Sequence, residues 1–159
     1  MNVPLTTTEK HLLISVRDTK GSFKRKHVPD GPDPVTGKFW FTIDIKAASK
    51  DIYLPISIGS GKKLTGFMYQ IEGTAQGSIS TTDISCRGEG VTLITLGTII
   101  YCKIPTGASA RFRIRVEMRG QVGKSYRIAI HQINYKLNPS DARYQKSILD
   151  IHTKMLKFS

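Results

Sequence analysis

Residues 111–119 read RFRIRVEMR, in which charged and apolar side chains alternate at every position. Successive side chains of an extended chain point to opposite faces of a sheet, so strict alternation predicts a strand with one face buried. Phe112, Ile114, Val116 and Met118 form the inward half, and Arg111, Arg113, Arg115 and Arg119 the outward half. FWFTIDIKA repeats the pattern, with Phe39, Phe41, Ile43 and Ile45 alternating with Trp40, Thr42, Asp44 and Lys46. Further strands are expected at HLLISV, at DIYLPISI, where Pro55 marks an edge or a crossing between sheets, and at Thr65 to Glu72, Ser78 to Thr82 and Val91 to Lys103. In SYRIAIHQINYKL the apolar register passes from Tyr126, Ile128 and Ile130 to Ile133 and Tyr135, which predicts a bulge near Gln132. Short strands separated by Gly-rich turns, such as the one at Gly107, predict an all-β antiparallel sandwich of about seven to nine strands.

Two stretches read differently. Residues 18–38, DTKGSFKRKHVPDGPDPVTGK, concentrate Gly, Pro, Asp and basic residues and predict a long mobile loop. Residues 138–159 are expected to lie outside the sandwich of residues 1–137. Ser140 or Asp141 would cap a helix there, with Tyr144, Ile148, Ile151 and Met155 at helical spacing and Lys154 and Lys157 in its last turn. The apolar stripe of that helix would cover its own sandwich or join a second copy of the chain.

The 159 residues suit one domain with a real core. Lys and Arg number 24 against 12 Asp and Glu, a net charge of +12 that attracts nucleic acid, anionic lipid and acidic polysaccharide. From Lys103 onward the basic residues are opposed only by Glu117, Asp141 and Asp150, so the excess is concentrated in the last third. Arginines two apart on one strand face recur every ~6.7 Å, a spacing that can engage successive phosphates or carboxylates. Arg127 extends this row if it faces outward in the next strand. The row is either a binding surface for a cell-surface polyanion, a protein partner or nucleic acid, or the solvated face of a strand. Phe112 alternates away from the arginines, which counts against base stacking on that face.

Cys86 and Cys102 are spaced to close a disulfide loop worth about 3 kcal/mol, or else remain two thiols. They are too far apart for a Cys-x-x-Cys site, and His11, His27, His131 and His152 fall at no metal-ligand spacing. GSGKK at 59–63 lacks the first Gly and the Ser or Thr of a phosphate loop, and Asp30 and Asp33 in DGPDP lack calcium-loop spacing. Asn138-Pro139-Ser140 is not a glycosylation acceptor. The expectation is therefore no enzyme, no cofactor and no metal. No apolar run is long enough to span a membrane, and the opening MNVPLTTTEK does not read as a signal peptide, which taken literally suggests the cytoplasm.

Three segments in order, FWFTIDIKAASKDIYLP, KIPTGASARFRIRVEM and GKSYRIAIHQINY, resemble an uncharacterised Ig-like β-sandwich domain. That domain occurs in predicted surface- and peptidoglycan-associated proteins of ultrasmall candidate-phylum bacteria. The GxSxRF portion, residues 107–112, is similar to the penultimate strand of bacterial adhesin-type Ig-like repeats. The resemblance covers roughly residues 38 to 137 and implies a non-enzymatic module, extracellular or at the cell surface, with no catalytic residue to transfer. Within it, Tyr126 is expected to be buried with its hydroxyl capping a neighbouring loop. Asp51 is expected to fasten the sheet crossing through backbone amides.

Overall fold

A computed structural model describes residues 6–8, 11–27, 29, 35–58 and 66–159, and every paired strand among them is antiparallel. The strands are β1 (Thr6–Thr8), β2 (Leu12–Arg25), β3 (Val35–Ala47), β4 (Ile52–Ile58), β5 (Phe67–Gly73) and β6 (Ser78–Arg87). They continue with β7 (Thr92–Leu96), β8 (Ile99–Ile104), β9 (Ser109–Gly120), β10 (Ser125–Tyr135), β11 (Gln145–His152) and β12 (Leu156–Lys157). One layer has the order β1-β2-β3-β9-β6. In the other, β10 pairs with β5 along one edge and with β11 and β12 along the opposite edge. A three-stranded sheet, β4-β8-β7, joins β10 where Tyr53 and Lys136 exchange two backbone hydrogen bonds of 2.8 Å.

The layers close on each other through the apolar halves of the alternating strands. Phe39, Phe41, Ile43 and Ile45 of β3 and Phe112, Ile114, Val116 and Met118 of β9 are all at most 1% exposed. Burying one such side chain contributes about 1.5–3 kcal/mol, against about 0–1 kcal/mol for an exposed ion pair. The inward half of β9, not its arginines, therefore holds the strand in place. From the facing layer, Phe67 meets Phe112 edge-on at 5.4 Å between ring centroids.

Several local expectations are met. The register of β10 shifts between Ile130 and Gln132 against both neighbours. Tyr126 is fully buried, its hydroxyl accepting the Gln121 amide at 2.8 Å and donating to the Gln76 carbonyl at 3.4 Å. Asp51 accepts the amide and hydroxyl of Thr106 at 2.9 and 3.0 Å, contacts that hold its carboxyl below the usual range. Gly107, at φ 84°, turns the chain from β8 into β9 and so from one layer to the other.

Others are corrected. There is no C-terminal helix: residues 145–152 form β11, and β12 follows. Ser147, Leu149, Ile151 and Thr153 are buried while Ile148 is 67% exposed, so the operative period is two. The edge of β10 supplies the hydrogen-bonding partners that draw this segment into a strand. Ser140 caps no helix: its amide and hydroxyl both donate to the Asn138 side chain, which makes a turn. Residues 145–158 thus belong to the sandwich, not to a tail beyond it. Nor is 18–38 one long loop, because β2 stays paired with β3 out to Arg25↔Val35. That part of β2 is polar because most of it is exposed, after a bulge between Val16 and Asp18. Residues 91–103 are a hairpin, β7 and β8, broken at Gly97, which adopts φ 63°. These additions carry the described chain past nine strands, to twelve. GSGKK and DGPDP lie outside the described residues, apart from Pro29 beside the latter.

The chain end is anchored by Phe158, fully buried, stacked on Phe23 at 5.7 Å and set against Tyr126 at 4.7 Å. Its ring fits because Gly37 and Gly120 have no Cβ; one added there would lie 2.4 and 2.7 Å from ring carbons. Phe158→Ala should lower unfolding free energy by about 3–5 kcal/mol, read as a lower urea midpoint at unchanged slope. A change below ~1 kcal/mol would mean that the end is not part of the core.

Candidate binding face

The pairing registers determine what shares the outer face of the five-stranded layer. Opposite the buried half of β9 stand Arg111, Arg113, Arg115, Glu117 and Arg119, and β3 adds Lys38, Trp40, Thr42, Asp44 and Lys46. β6 contributes Asp83, Ser85 and Arg87, and β2 contributes Asp18, Lys20 and Lys24. Arg17 joins them at the β2 bulge, within 3.5 Å of Asp44. On this face Arg17, Lys20, Lys24, Lys38, Lys46, Arg87 and the four arginines of β9 outnumber Asp18, Asp44, Asp83 and Glu117. The charge excess of the last third therefore does not locate the patch, since six of these ten cations come from before Lys103.

The predicted arginines divide into two kinds. Arg111 makes a two-pronged contact with Asp44, Nε at 2.9 Å and Nη2 at 3.2 Å, which pushes the guanidinium pKa up. Arg115 is bound through Nη2 to Asp83, while its Nε is buried without a partner among the described residues. Lys38 lies 3.5 Å from Glu117. Arg113 and Arg119 have no acid partner among the described residues. Exposed ion pairs are weak and screened by salt, so a ligand anion could replace Asp44 or Asp83 at small cost.

Arg127 does not extend the row. The turn at Gly123 carries the chain from β9 into β10 of the other layer, where Arg127 donates from Nε to Glu72 at 2.9 Å on the opposite outer surface. The face also contains an aromatic. Trp40 stands directly across from Arg115, with the Lys20 ammonium 5.1 Å from its ring centroid. Trp40, Asp83, Ser85, Arg113 and Arg115 line a shallow depression of about 300 Å³. Its outward position was readable in FWFTIDIKA, but its place beside the arginines depends on the β3–β9 register, which a single strand does not reveal.

Away from this face, the two thiols meet across the layers. Cys86 points inward from β6, Cys102 is fully buried on β8, and neither is in a disulfide. A hydrogen bond between them lowers the Cys86 thiol, and the same bond together with burial raises Cys102. The fold brings together the pair singled out by sequence. Among the described residues no group of three or more His, Cys, Asp or Glu side chains could hold a metal, and no helix is long and apolar enough to cross a membrane. A thiol reagent should label Cys86 in the native protein and Cys102 only on unfolding. Mild oxidation should join them and raise stability by about 3 kcal/mol; equal native labelling would contradict the pairing. No protein-family model matches the chain, and no curated protein sequence matches it.

Proposed function

We propose that the protein is a non-enzymatic β-sandwich binding module that holds a polyanion on the outer face of its five-stranded layer. The observation that carries this reading is Arg113 and Arg119, two cations without acid partners among the described residues, on a face where the described basic residues outnumber acids ten to four. Such a surface concentrates anionic polymers and speeds their encounter. The Ig-like reading draws support from Tyr126, near the start of β10, whose hydroxyl bonds back to the Gln121 amide as in a tyrosine corner. The resemblance of the strand segments to surface-associated Ig-like domains supports a cell-surface or extracellular setting for the module.

Long-chain polyphosphate tests the face as a purely anionic probe. Arg113→Gln with Arg119→Gln should leave thermal unfolding almost unchanged, weaken binding at least tenfold at low salt and flatten the salt dependence by about two cations' worth. Arg127→Gln, on the opposite surface, should change binding little. Equal losses from the two sides would show that net charge alone attracts the probe and would refute a dedicated face.

A further inference from the structure

We infer that the polyanion is single-stranded nucleic acid and that Trp40 is the platform on which one base stacks. This rests on the polyanion-binding reading of the same face and adds the ligand's chemistry. Among the described residues Arg113 and Arg119 are available, whereas three of the four acids of the face, Asp44, Asp83 and Glu117, are occupied by Arg111, Arg115 and Lys38, which leaves Asp18 at its margin on β2. Guanidiniums without acid partners favour a ligand that brings negative charge, which neutral sugars lack.

Arg113 and Arg119 are six residues apart on one strand, about 20 Å, so the ligand is a polymer with repeated anions and not a single small ion. Between them, across from Arg115, stands the indole of Trp40, flanked by Lys20 and opening on the depression beside Arg113. Acidic peptides rich in Asp and Glu, and polyphosphate, would leave that aromatic surface unused. A strand of nucleotides supplies a flat π-face beside every phosphate. Duplex DNA keeps its base faces within the stack and offers none to Trp40, whereas sheets with outward aromatics stack unpaired bases. One aromatic implies one stacked base and little sequence preference.

Trp40 is the only tryptophan in the chain, so its fluorescence reports the contact directly. The full chain is titrated with oligothymidylate of about fifteen nucleotides, with an abasic phosphodiester of equal length and with a sulfated glycan of equal charge. Oligothymidylate should quench Trp40 and bind about tenfold tighter than the abasic strand. Trp40→Ala should remove that advantage while leaving abasic binding unchanged, and Trp40→Phe should retain most of it. Should Trp40→Ala fail to fold, the wild-type quenching and the abasic comparison decide the matter. Equal binding of the two strands without quenching overturns the inference while the polyanion face stands. A glycan that quenches Trp40 and displaces the oligonucleotide overturns it in favour of an acidic sugar polymer. If no polyanion binds, both readings fall.

Discussion

The pairing of β3 with β9 is the constraint on which the rest depends. Phe39↔Val116, Phe41↔Ile114 and Ile43↔Phe112 place fully buried side chains opposite one another. A slip of one residue on either strand would turn those apolar side chains to water and bury a row of charges. The register is therefore held by hydrophobic burial worth far more than any surface contact. That same register places Trp40 opposite Arg115 and Asp44 opposite Arg111, although neither outward pair adds much to stability. The arrangement of the face follows from packing on the other side of the sheet.

This explains why the face tolerates so uneven a charge balance. Like charges along β9 repel one another, but they are exposed and screened by salt, and their cost is small beside the core beneath them. Asp44 and Asp83 bind Arg111 and Arg115 from the two neighbouring strands, so positive charge is partly neutralised near each. The unneutralised positions, Arg113 and Arg119, leave a depression bounded by Trp40 at one of them.

What could be read from the sequence was local and periodic. The strands around Phe41 and Ile114, the bulge at residue 131 and the environments of Tyr126 and Asp51 all follow from short-range pattern. The C-terminal segment misled because Tyr144, Ile148, Ile151 and Met155 fit one period while Ser147, Leu149, Ile151 and Thr153 fit another. The second set counts a buried Ser and Thr as inward, which hydrophobicity alone does not suggest. Thr153 is inward because its hydroxyl accepts the Ile128 amide at 3.1 Å, a partner known only from the fold. The polar end of β2 was unreadable for the converse reason, since its pairing with β3 needs backbone bonds and not an apolar stripe. Arg127 lies close to β9 in sequence yet on the other surface, because the intervening turn changes layers, which alternation along one strand does not show.

Trp40 shows the limit most clearly. Within β9 alone, Phe112 turns inward and the cationic row has no aromatic, which argues against base stacking. The neighbouring strand supplies one, and only a cross-strand register can reveal it. A sheet face is a two-dimensional object assembled from strands far apart in the chain, so its chemistry is set by rows across the strands as much as by alternation along them. The row Lys20, Trp40, Arg115, Asp83 draws on four strands and combines a cation, an aromatic, a second cation and an acid. Its outer wall is β6, the edge strand, held from beneath by Ile84 and Cys86 against the shared core. The shape of this face therefore depends on the packing of its least protected strand.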